Sequence, residues 1–181
     1  MKAEEDTLPK LLLKSYREYG DKRLAMRRKD YGVWNRYTWK DYYENVKYLA
    51  LGLMSLGFER GDKMAIIGDN FPEWFWMEIA VQSIGGAITG TFVDCVPHEV
   101  KYVVDHSESK WVTCRDQEQV DKVLEIKDDI PQLKKVFYWY YKGMWSYDDS
   151  VWMRYDELVE LGKSVAKEHP DLFEESVARG K

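Results

Sequence analysis

The sequence predicts an α/β fold: a mostly parallel sheet with flanking helices, preceded by a helix and a β-hairpin. Two observations carry this. The run 64–67 is continuously apolar and lacks the alternation of a half-exposed strand, so it reads as a strand covered on both faces, and 87–93, 111–114 and 136–141 read as further strands. Between them lie segments of helical periodicity, and strands alternating with helices of this length specify parallel pairing with right-handed crossovers.

Each element has its own signal. Thr7 and Pro9 mark the cap and first turn of a helix running to Tyr19, with Leu8, Leu12 and Leu13 on one face and Gly20 just past its end. Strand-like runs at 23–29 and 33–37, joined by Asp30, Tyr31 and Gly32, form the hairpin. Thr38 caps the clearest helix, with Asp41 closing a capping box. Its apolar residues Tyr42, Val46, Leu49, Leu53 and Leu56 make a stripe that faces a core, and Gly57 ends it. Asn70 and Glu73 give a second capping signal, for a helix through Trp76, Ile79, Ala80 and Ile84 that stops at Gly85 and Gly86. Pro97 opens a helix carrying Val100, Val103 and Val104, and residues 120–130 form another. The run 136–141 reads as the last strand, 142–149 as a polar loop, and 155–167 as an amphipathic helix with Leu158, Leu161 and Val165. Residues 169–181 read as a charged, weakly structured tail. The expected organisation is a helix and hairpin over 1–37, a parallel α/β unit over 38–141, and a loop, helix and linker over 142–181.

Composition narrows the function. A chain of 181 residues with 45% hydrophobic and 15% aromatic content can bury a core and is not intrinsically disordered. A net charge of −5 argues against a dedicated nucleic-acid binder. That charge is uneven, because the basic residues Lys22, Arg23, Arg27, Arg28 and Lys29 crowd the hairpin. They either guard an exposed strand edge or meet a phosphate-bearing or membrane-surface partner. Cys95 and Cys114 are the only cysteines, which suits a reducing, cytoplasmic compartment. Met1 is followed by the acidic run Glu4, Glu5, Asp6 rather than by an apolar segment, unlike a signal peptide. The longest uncharged stretch, 79–93, contains Gln82 and glycines and is too short to span a bilayer.

No local motif carries chemistry. The run Gly85-Gly86-Ala87-Ile88-Thr89-Gly90 lacks the dinucleotide-binding order and reads as a helix stop with close packing. His98-Glu99 starts like a zinc-protease helix, but Tyr102 stands where the second histidine belongs. Cys95 and His98 have metal-like spacing, and Cys114 and His106 could complete four ligands, yet no second close pair supports zinc and no metal is expected. Asp69, Asn70 and Asp94 follow strands, where they either cap the next helix or face a site.

The order of segments says more. Tyr37-Thr38-Trp39, Leu49-Ala50-Leu51-Gly52-Leu53, Leu56-Gly57, Gly61-Asp62, Asn70 with Glu73-Trp74, Gly85-Gly86-Ala87, Pro97-His98-Glu99-Val100 and Pro131-Gln132-Leu133-Lys134 occur in one chain. Together they resemble the opening third of the adenylate-forming enzymes, and Gly32-Val33-Trp34 points to the long-chain fatty acyl-CoA synthetases among them. The resemblance implies a parent enzyme that uses Mg-ATP to turn a fatty acid into an acyl-adenylate, then passes the acyl group to coenzyme A. The segments that do this chemistry in the family are absent from residues 1–181, and the phosphate loop is expected after Lys181. The chain alone is therefore expected to be inert, with no catalytic residue and no cofactor of its own. Asp94, Cys95 and Val96 are expected to face the join with the missing region, where the acyl and nucleotide sites form. Exposed apolar surface there would allow a homodimer, and any membrane contact would be peripheral. A stand-alone flavodoxin-like binding domain is the other reading.

Overall fold

The computed structural model describes residues 5–147 and 150–180; the acidic start at Glu4, the end of the 142–149 loop and Lys181 lie outside them. The Thr7 hydroxyl accepts from the Lys10 amide at 3.4 Å and opens α1 (Leu8–Tyr19). Leu12 and Leu13 are buried, but Leu8 is exposed, so the apolar face begins one turn later than the sequence suggests. β1 (Leu24–Asp30) and β2 (Val33–Thr38) pair antiparallel with Asp30 opposite Val33, leaving a two-residue turn, Tyr31-Gly32. Both turn residues have positive φ, +44° and +84°, which matches the hand of turn that tight hairpins favour.

α2 (Trp39–Ser55) starts at the expected capping box: Thr38 Oγ1 accepts from the Asp41 amide at 3.1 Å, and Asp41 Oδ2 accepts from the Thr38 amide at 2.7 Å. The main sheet follows, with β3 (Lys63–Ile67), β4 (Ala87–Thr91), β5 (Trp111–Cys114), β6 (Lys135–Tyr138) and β7 (Trp152–Arg154). All neighbours are parallel, in the order β4-β3-β5-β6-β7. β7 is a correction, since the sequence reading ends the strands at 141. Its three residues carry too little pattern to be seen alone, and pairing with β6 makes them a strand.

Helices cover both faces. On one, α2, α3 (Pro72–Ser83), α6 (Tyr155–Glu168) and α7 (Leu172–Ala178) pack with Met64, Ile66, Trp111 and Phe137. On the other, α4 (Pro97–His106) and α5 (Gln117–Ile126) pack with Ala65, Ile67, Val112 and Cys114. The central strands β3, β5 and β6 thus contribute alternate residues to two cores, as strands covered on both faces must. α7 corrects the reading of a weakly structured tail: Phe173 packs edge-on to Tyr43 at 5.7 Å, and the Tyr43 hydroxyl donates to Glu174 Oε1 at 3.1 Å. α2 and α6 cross so closely that a Cβ on Gly52 would lie 2.3 Å from the Leu158 carbonyl oxygen, and one on Gly162 1.7 Å from that of Tyr48.

Candidate functional site at the carboxyl end of the sheet

The register aligns the carboxyl ends of all five strands in one row: Thr91, Ile67, Cys114, Tyr138 and Arg154. α3 leaves β3 toward one face and α5 leaves β5 toward the other, so the chain parts between these neighbouring strands. Such a switch point opens a crevice outside the strand ends, the usual ligand position in open α/β sheets.

Arg115, the first residue after β5, organises this place. Its guanidinium pairs with Asp69, the second residue after β3, and its Nε donates to Asp116 Oδ2 at 2.6 Å. Asp116 also caps α5, accepting from the Gln119 amide at 3.4 Å. Across a cleft of about 420 Å³ stands Arg28 of the hairpin, its guanidinium 3.5 Å from the Phe71 ring centre, 4.0 Å from Asp30 and 3.7 Å from Glu73. Trp139 and Tyr140, after β6, supply further aromatic wall.

Glu73, in the first turn of α3, is mostly buried and its Oε2 lacks a hydrogen-bond partner. Burial holds its carboxyl above the usual range, against the pull of its own backbone amide and of Arg28. A second cleft, of about 310 Å³, shares Glu73 and Trp139 and is also lined by Trp76. Both indole N–H groups are buried without a partner.

Several capping expectations are corrected here. Neither Asp69 nor Asn70 caps α3, whose N-cap is Phe71 without a side-chain bond. Pro72 stands at the start of that helix, where the missing N–H of proline is least felt. Asp69 is taken by Arg115 instead. Asp94 does not cap α4 either: the Glu99 carboxylate accepts from the Val96 amide at 3.0 Å.

Asp94, Cys95 and Val96 lie after β4, at the edge of the same row. Asp94 and Val96 are exposed, Cys95 is half-buried, and the neighbouring Phe92 is 82% exposed. β3 separates them from the Arg115 crevice, and none of the three lines it. The zinc combination does not assemble, for among the described residues no group of three or more His, Cys, Asp or Glu could hold a metal ion. Cys114 is fully buried between strand and helices, and burial pushes its thiol far up. Sequence reasoning missed Glu73 and Arg115 as site residues, and Arg28 entered it only as one of the hairpin's basic residues. The Arg115-Asp116 pair directly after a central strand was the available signal.

The sequence profile of the AMP-binding enzymes matches residues 13–171. The chain belongs to this family. A long-chain-fatty-acid–CoA ligase of Rattus norvegicus, ACSBG1, is 30% identical over 168 residues, covering 92% of this chain and 23% of its own length. The 4-hydroxybutyrate–CoA ligase 2 of Metallosphaera sedula is 36% identical over 96 residues, 53% of this chain and 17% of its own. This AMP-binding chain thus spans less than a quarter of these relatives. Among solved structures, an acetoacetyl-CoA synthetase from Streptomyces lividans superposes with a TM-score of 0.74 at 19% identity over 83% of this chain and 24% of its own. A Rhodopseudomonas palustris protein described as a long-chain-fatty-acid CoA ligase gives 0.69 at 22%, over 84% and 36%. At such identities the superpositions establish the fold, and they agree with the α/β architecture expected of an adenylate-forming enzyme.

Proposed function

We propose that this protein supplies the amino-terminal α/β layer of an acid–thiol ligase that converts a long-chain fatty acid to an acyl-adenylate with ATP and Mg, then to the coenzyme A thioester. The observation that carries the reading is the alignment of 92% of the chain with a long-chain-fatty-acid–CoA ligase. The division at 1–37, 38–141 and 142–181, the role of Asp94, Cys95 and Val96 as a contact surface for the remainder of the enzyme, a homodimer and a cytoplasmic location belong to the same proposal. Among the described residues no helix is long and apolar enough to cross a membrane.

The strand-end residues do not fit a triphosphate. Arg115 is engaged by Asp69 and Asp116, and Arg28 stands between Asp30 and Glu73, so an incoming phosphate would meet carboxylates at both guanidiniums. No adenylation step is assigned to them; their part is to shape the end of the sheet.

The strand order is also that of flavodoxin-like domains, which favours the second reading of a stand-alone binding domain. Against it, the loops after β3 and β5 carry Asp69 and Asp116 where a flavin phosphate would lie.

The test is ATP–pyrophosphate exchange, on the chain alone and on a chimera in which it replaces the aligned region of the rat ligase. The chain alone should be silent, and the chimera should exchange only with ATP and a long-chain fatty acid. Turnover by the chain alone, or a folded but inert chimera, would refute the reading.

A further inference from the structure

We propose that the smaller cleft, the one between α3 and α6, is a binding site for a small quaternary ammonium ion. Its volume of about 310 Å³ is at the low end for a small-molecule site, so the ligand it admits is small. Aromatic side chains enter it from three elements: Trp76 from α3, Tyr138 and Trp139 from the end of β6, and Tyr155 from α6. Neighbours fix these rings. Trp76 stands edge-on to Tyr37 at 5.2 Å and Trp139 to Tyr155 at 6.4 Å, and the Tyr155 hydroxyl donates to the Glu73 carbonyl at 3.3 Å. The indole N–H groups of Trp76 and Trp139 are sealed from solvent, so what these residues turn to the cleft is ring carbon.

Charge selects the ligand. Three carboxylates line the cleft, Glu73, Asp156 and Glu160, against one cation, Lys163. Glu160 holds Lys163 at 2.7 Å, and Arg154 holds Asp156. Glu73 is left less well matched, for its Oε2 has no hydrogen-bond donor, and Arg28 stands 3.7 Å away on the side of the other crevice. An anion would be repelled by this carboxylate, and an uncharged occupant would bury it further without compensation, whereas a cation stabilises it. Elsewhere in the molecule lysines and arginines lie over Tyr, Trp and Phe rings, yet among the described residues none lies over Trp76, Tyr138, Trp139 or Tyr155. These rings are therefore open to a cation from outside.

The same inventory distinguishes one ammonium from another. A primary ammonium brings three N–H donors, and the carboxylates at the rim are already held by Arg154 and Lys163. A quaternary ammonium has no N–H to satisfy, and it buries its methyl groups against the rings. The inference rests on this cleft alone and not on the ligase reading.

The experiment is isothermal titration of the full chain, at constant ionic strength, with choline, with dimethylbutanol, in which carbon replaces the charged nitrogen, and with methylammonium. Choline should bind, and the other two should each bind roughly tenfold more weakly. Trp139→Leu and Glu73→Gln should each weaken choline about fivefold, near the effect of one ring or one charge. Trp139→Phe, which keeps a ring, should weaken it less than Trp139→Leu, and Trp34→Ser, on the exposed hairpin, should leave it unchanged. Thermal unfolding checks that the variants fold. Absence of choline binding, equal affinity for dimethylbutanol or methylammonium, or unchanged affinity in folded Trp139 and Glu73 variants would overturn the proposal. So would equal weakening by Trp34→Ser, which would place choline outside this cleft.

Discussion

At the amino end of the sheet Asp62 precedes β3, and its carboxylate takes three protein donors: Lys110 at 2.6 Å, Trp111 Nε1 at 3.1 Å and the Glu59 amide at 3.2 Å. At the carboxyl end Glu73 is also largely buried, yet one of its oxygens has no hydrogen-bond partner. Burial raises both carboxyls. At Asp62 the donors outweigh it and hold the group below its usual range, whereas at Glu73 burial wins. One end spends its polar groups on holding the fold, and the other keeps them incompletely matched where ligands of such sheets bind.

The contrast can be broken from beneath. Gly162→Ala would press a Cβ into the Tyr48 carbonyl, separating α6 from α2, and should cost about 3 kcal/mol. Urea denaturation checks it, and a near-neutral result would mean that the helix crossing is looser than described.

Next in size, Asp62→Asn should cost about 2 kcal/mol, because Lys110 and the buried indole lose a charged acceptor. The sign with pH is fixed by the lowered carboxyl. Its contribution is complete above the unfolded-state value and fades as pH falls through the folded-state one, so parent and variant should converge in acid. Urea midpoints measured from neutral to acid pH would show whether they do.

Arg115→Met sharpens the comparison at the other end. It leaves Asp69 and Asp116 without their shared cation, in a partly exposed place, and a loss of about 1 kcal/mol is expected. Thermal melts in high salt should narrow the difference, since solvent ions screen what remains.

The smallest effect has the opposite sign. Because the Glu73 carboxyl is raised, folding favours its protonated form, and that contribution is lost as pH rises through the folded-state value. Glu73→Gln should therefore stabilise the protein at neutral pH by about 0.5 kcal/mol and lose this advantage in acid. Destabilisation at neutral pH would show that the ionised group is held by Arg28 after all.

Much of this was legible in the chain. The Thr38–Asp41 box, the hairpin turn at Gly32 and the two-sided strand at 64–67 are local or periodic signals, and each appears as expected. The stripe from Val46 to Leu53 is also buried, though the burial spreads to Ala50, Leu51 and Gly52 because α6 covers a second side.

The site was far less legible. Arg28, Asp69, Glu73 and Arg115 come from four separate stretches, and no spacing within the sequence relates a hairpin residue to a strand-end arginine. Asp69 and Asn70 looked like caps because Asx residues usually cap helices; Arg115 claims Asp69, and Pro72 begins the helix. The sequence by itself determined the helices up to α6, the hairpin and four of the five parallel strands, since propensity, capping and burial period act over a few residues. Only the tertiary structure decided that three residues near 153 would become a fifth strand, that α7 would dock through Phe173, and that the chain would part between β3 and β5. Those outcomes depend on contacts between distant segments, whose energies no local pattern records.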